Sequence, residues 1–119
     1  MNAQKISKLA ATTPGPAKLE ALGDGRFQVS GVLDADTATD LLKRSEAAFK
    51  DASALEIDLA NVPEGDSAGL ALLIEWLRLA KQRQQTIHFK NVPPQIAALA
   101  RISDVENLLN GNSKSPNQR

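Results

Sequence analysis

No cysteine occurs in these 119 residues, so disulfides, thiolate zinc sites and cysteine nucleophiles are excluded together. His88 is the single histidine, which rules out a multi-histidine metal cluster. Neither a metal nor a cofactor is expected. Tyrosine is absent, and three phenylalanines and one tryptophan are all the aromatic residues. With 42% hydrophobic residues a core can still form, and it must be mainly aliphatic. Neither sign of charge is in excess, fourteen basic residues balancing fourteen acidic ones. Such a chain lacks the basic footprint and stacking platforms of nucleic-acid binding, so no nucleic-acid partner is expected. Long apolar runs are missing too. The longest, residues 70–74, is far too short to cross a bilayer, and MNAQKISKLAATTPGP has no signal-peptide core. A cytoplasmic domain without direct membrane insertion is the expectation.

What is present suits one compact domain. Thr12-Thr13-Pro14-Gly15-Pro16 closes a leader, residues 1–16, expected to be flexible. GNSKSPNQR reads as a disordered tail over 110–119, which leaves a folded unit at 17–109. AKLEAL at 17–22 and RFQVSGV at 26–32 alternate around Gly23-Asp24-Gly25, a strand, tight turn and strand. Asp36 or Thr37 can cap a helix carrying Ala38, Leu41, Leu42, Ser45 and Phe49 on one face. ALEIDLANV buries Leu55, Ile57 and Leu59 on one side of a strand. The strongest helical pattern spans 68–83. TIHFK at 86–90 is a further strand, and Pro93-Pro94 opens a helix through Ile96, Leu99 and Ala100 that resumes at Val105, Leu108 and Leu109. The order β-β-α-β-α-β-α predicts an α/β fold, a small mixed sheet with helices packed mainly on one face.

Gly65, Asp66, Ser67, Ala68 and Gly69 match G-x-S-x-G, the nucleophile elbow of α/β-hydrolases. A serine needs a base held by a carboxylate, in the order serine, acid, histidine. Here the sole acid between Ser67 and His88 is Glu75, on the helix that Ser67 opens, and residue 70 is leucine rather than a lysine base. No catalytic residue is assigned, and His88 reads as a surface residue of its strand. Ser67 reads instead as a helix cap. Gly69 is costly in a first turn, and with Ala68 it leaves the helix start bare for close approach of another chain. Further along that helix, Leu70, Leu73, Ile74, Leu77 and Ala80 form one stripe and Leu72, Trp76 and Leu79 a second, roughly 120° away. Either a neighbouring helix covers the second stripe, or it is a protein-binding surface anchored by Trp76.

SGVLDADTA, LEIDLANV and the run from Asp66 to Leu109 resemble a STAS domain, over about residues 17–109. The key element is a strand, loop, D-[ST]-x-G-L and helix, matched by Asp66, Ser67, Ala68, Gly69 and Leu70 and made specific by the preceding IDL strand and the GxLD turn at Gly31 to Asp34. STAS domains are binding modules rather than enzymes. In the anti-sigma factor antagonists among them, the serine at the Ser67 position is phosphorylated by a partner kinase. The LALL start, the LAK-x-x-Q helix ending and I-A-A-L-A-R are more similar to the MlaB-type branch, whose domain sits on the ATPase of an ABC transporter. That complex moves phospholipids and helps to maintain outer-membrane lipid asymmetry. The resemblance therefore implies an ATPase partner and, through it, a membrane permease. Asp66, Ser67, Ala68 and Gly69 are the implied contact, with Leu72 and Trp76 as extensions. The branch commonly has threonine at the Ser67 position and glycine at the Ala68 position. Serine here leaves phosphorylation of Ser67, and with it the antagonist reading, as the alternative.

Overall fold

The computed structural model describes residues 17–109, and the leader 1–16 and tail 110–119 lie outside the described residues. The chain runs β1 (Lys18–Gly23), β2 (Arg26–Ser30), α1 (Ala35–Phe49), β3 (Ala54–Asn61), α2 (Ser67–Gln82), β4 (Thr86–Lys90), α3 (Pro94–Ile102) and a short α4 (Glu106–Leu109). Its four strands form one sheet in the order β1-β2-β3-β4. The β1/β2 pair is antiparallel, and β2/β3 and β3/β4 are parallel. Asp24 and Gly25 turn the hairpin with φ of 57° and 78°, and two positive φ values are what a tight Asp-Gly hairpin loop requires.

Parallel neighbours need crossovers, and right-handed crossovers stepping in one direction put their helices on one face. That face holds the core. Phe27 and Val29 of β2, Leu55, Ile57 and Leu59 of β3 and Phe89 of β4 are buried beneath Leu41 of α1, Leu70 and Leu73 of α2 and Ile96 of α3. The other face is polar: Arg26 pairs with Glu56 and Glu56 with His88, while Gln28 pairs with Asp58 and Asp58 with Lys90. Lys90 Nζ lies 3.3 Å from Glu56 Oε2. Asp58 accepts from Asn91 Nδ2 at 3.0 Å and from the Ala60 N–H at 2.9 Å. Those donors, the Asn91 amide first, hold its carboxyl below the usual range, aided by Lys90.

The sparse aromatics converge. Phe27 meets Phe49 at 4.8 Å between ring centroids, Phe49 meets Trp76 at 5.3 Å, and Trp76 stacks on Phe89 at 6.5 Å. Trp76 is 2% exposed and its indole N–H donates to Ser45 Oγ at 2.8 Å, tying α2 to α1. A buried indole needs such an acceptor. Ser45 in turn donates to the Leu42 carbonyl at 2.8 Å, so this buried polar residue is satisfied twice. Gln85 closes the far end of α1, its Nε2 donating to the Phe49 and Ala52 carbonyls at 2.6 and 2.7 Å.

Candidate functional site

The parallel strands end where the helices begin, and in open α/β sheets this carboxyl edge is the usual place for a site. Beyond β2 and β3 the two connecting loops stay in register. Leu33 bridges Gly65 in parallel, with Leu33 N–H donating to the Glu64 carbonyl and Asp66 N–H to the Leu33 carbonyl, both at 3.1 Å. This short extension of the pairing sets the first turns of α1 and α2 side by side. Gln95, in the first turn of α3, joins them by accepting from the Gly65 N–H at 3.3 Å.

Each of the first two helices is capped by an aspartate. Asp34 accepts from Thr37 N–H at 3.0 Å while Thr37 Oγ1 accepts from Asp34 N–H at 2.9 Å, a reciprocal capping box. Asp34 therefore takes the capping place expected of Asp36 or Thr37. The correction is physical: residue 34 still has extended backbone, with φ of −124°, so its carboxylate can reach forward, whereas Asp36 is already in the first turn. The Thr37 N–H holds the Asp34 carboxyl below its ordinary pKa. On α2 the cap is Asp66, accepting from Ala68 N–H at 2.8 Å. Ser67 is therefore not the cap expected of it. It is the first residue of the helix, exposed to solvent at this edge.

Burial sorts the other expected contact residues. Asp66 and Ser67 are exposed and Ala68 is partly so. Gly69 is buried, and what approaches it is this chain itself. A Cβ there would lie 3.0 Å from Leu33 Cβ and 3.1 Å from Ile96 Cδ1. Its lack of a side chain lets α2 close on the Leu33 loop and on α3. Leu72 is 3% and Trp76 2% exposed, so neither side chain projects from the surface. The second stripe of α2 faces α1 and the aromatic cluster, so a neighbouring helix accounts for it. Leu72 keeps one role at the surface, as the base of an open groove of about 390 Å³ between α1 and α2. Ala35, Ala38, Ala68 and Ala71 open this groove by being small. No signal in the sequence marked α1's half of it.

His88 lies exposed on the polar face of the sheet, across from Glu56, while α2 packs on the opposite face. It is not placed to serve Ser67 as a base. Among the described residues no group of three His, Asp or Glu side chains could hold a metal ion, and no helix is long and apolar enough to cross a membrane.

The family profile described as "Mlab, STAS domain" matches residues 19–110. The chain belongs to the STAS-domain family. Two relatives within it, the intermembrane phospholipid transport system binding protein MlaB of Escherichia coli (strain K12) and that of Shigella flexneri, are each 34% identical over 74 residues. The matched stretch is 62% of this chain and 74% of each relative. Among solved structures, the anti-sigma factor antagonist SpoIIAA in its unphosphorylated form superposes with a TM-score of 0.62 at 18% identity, covering 77% of this chain and 84% of that one. At that identity the likeness is one of fold, and the fold it supports is the mixed sheet with helices expected of a STAS domain.

Proposed function

We infer that this chain is a non-catalytic STAS subunit that binds and regulates the ATPase of an ABC phospholipid transporter maintaining outer-membrane lipid asymmetry. The observation that carries the reading is the 34% identity to proteins named for intermembrane phospholipid transport, over a family match that includes the α2 start. The contact residues are Asp66, Ser67 and Ala68, exposed or partly exposed at the carboxyl edge of the sheet, on a first turn fixed by the Asp66 cap and the Gly69 packing. Leu72 contributes through the groove beside them. Gly69 acts by positioning, and Trp76 by holding α1 against α2. The protein then sits in the cytoplasm, peripheral to the inner membrane, and reaches the permease through the ATPase.

The test is Ser67→Arg. Ser67 is exposed at the first helical position, so arginine there leaves the core untouched and places a long cation at the contact. The expected result is an unchanged melting temperature together with lost co-purification of the ATPase and lost lipid transport. A folded Ser67→Arg protein that still binds and supports transport removes the assignment.

A second reading has one observation in its favour, the exposure of the Ser67 hydroxyl beside the acidic cap. A phosphate there would add about −1.5 to −2 charge at a helix N-terminus, the change by which an anti-sigma factor antagonist is switched. Stoichiometric phosphoserine at position 67 in protein taken from cells supports this reading, and its consistent absence removes it.

A further inference from the structure

The groove between α1 and α2 has a chemistry of its own. Alanines at 35, 38, 68 and 71 leave its walls low where larger side chains would bring the two helices into contact, and Leu42 and Leu72 supply its apolar surface. Only Thr39 and Glu75 add polar groups to the lining.

Charge at the two helix starts beside the groove is of one sign. Residues 31–42 and 60–77, which build both helix starts and their loops, contain Asp34, Asp36, Asp40, Glu64, Asp66 and Glu75 and no lysine, arginine or histidine. The other eight acidic residues lie elsewhere in the chain, so what marks these two segments is that they carry acidic residues and no basic one. Helix dipoles account for part of this, since Asp34 and Asp66 are caps and Asp36 lies in the first turn of α1. They do not account for Glu64, which is in the loop, or for Glu75, which lines the groove in the third turn of α2. Asp40 and Glu75 each have an arginine on the next turn, Arg44 and Arg78. Asp36 and Glu64 have no ion-pair partner among the described residues. Asp36 directly follows the groove residue Ala35, and Asp66 and Ser67 directly precede Ala68.

An alanine-walled cleft beside two acidic helix starts complements one kind of protein surface. We propose that the groove seats a basic segment of the ATPase, an apolar side chain of leucine or methionine size filling the cleft while flanking lysines or arginines meet Asp36, Glu64 and Asp66. This rests on the ATPase reading above and adds the chemistry of the contact. The apolar side chain governs how long the complex lasts, and the flanking charges govern how fast it forms.

The experiment measures association and dissociation rates of the purified chain and the purified transporter ATPase at low and high salt. Ala35 and Ala71 are exposed helical positions where leucine is well tolerated, so the double variant Ala35→Leu/Ala71→Leu fills the groove without disturbing the core. With its melting temperature unchanged, it should bind roughly tenfold more weakly, mainly through faster dissociation. Asp36→Lys should slow association several-fold at low salt and flatten the salt dependence. A filled groove that binds like the unaltered protein overturns the proposal and leaves the ATPase reading intact. An unaltered protein that does not bind the ATPase overturns both. A photo-crosslinker at Thr39 identifies the occupant directly. Attachment to an ATPase peptide with lysine or arginine beside an apolar residue is expected. Attachment to an acidic peptide, to a second copy of this chain, or to residues 1–16 of the same chain overturns the assignment.

Discussion

Replacing Ser45 with alanine removes the acceptor for the Trp76 indole N–H, and the structure fixes what that should cost. Ser45 is 1% and Trp76 2% exposed, so water does not replace the lost partner. A buried donor left unsatisfied costs about 1–3 kcal/mol. At 4–8 °C per kcal/mol for a domain of this size, a 2 kcal/mol loss lowers the melting temperature by roughly 10 °C. Trp76→Phe removes the donor instead, and with it part of the ring that meets Phe49 and Phe89. It should cost about 1–2 kcal/mol through the lost volume and hydrogen bond. Once phenylalanine stands at 76, Ser45→Ala no longer orphans anything, so the double variant should be more stable than the sum of the single losses by about 1 kcal/mol or more. Urea denaturation of the four proteins measures this coupling. Strict additivity would falsify the hydrogen bond as the link between α1 and α2. The same series separates the two readings of Trp76, because a core residue changes stability while a surface anchor changes affinity. Folded Trp76→Phe protein should therefore bind its partner as the unaltered chain does.

Two further outcomes follow from the same geometry. Gly69→Ala gains up to ~1 kcal/mol of helix propensity, yet its Cβ meets fully buried Leu33 and Ile96 at 3.0 and 3.1 Å, so the melting temperature should fall; a rise contradicts the close packing of the α2 start. Asp34 and Asp58 have carboxyl pKa values lowered in the fold, by the Thr37 N–H and the Asn91 amide respectively. The unfolded chain then binds more protons in acid, so their stabilisation is complete above the unfolded value near ~4 and is lost as pH falls through the lower folded values. Denaturation midpoints at successive pH values should drop below pH ~4, and Asp58→Asn should flatten that drop; a variant with an unchanged slope contradicts it.

The order of elements was legible because alternation and helical spacing are local properties of the chain. The strands around Asp24-Gly25, the LEIDL strand and the helix from Ser67 were each marked by their own residues. What depended on partners distant in sequence was not legible. Two apolar stripes on α2 are equally compatible with a covering helix and with an exposed anchor, and only the placement of Ser45 and Phe49 decides between them. Gly69 looked bare because its neighbours, Leu33 and Ile96, are brought to it by the fold. The caps were misplaced by a residue or more because aspartate, serine and threonine are all good caps. The choice falls to whichever residue retains extended backbone, which the Leu33–Gly65 bridge and its hydrogen bonds determine. The groove escaped notice for a related reason, since alanines on two separate helices carry no signal until the helices are laid side by side.

In the proposed function the exposed start of α2 is a contact for a transporter ATPase. Its most direct test is gentle affinity purification of the tagged chain from its own cells, beside the Ser67→Arg variant, with mass spectrometry of the bound proteins. An ABC ATPase and its permease are expected with the unaltered chain and neither with the variant. A serine kinase or sigma-factor regulator in their place, or an ATPase retained equally by both, contradicts that reading.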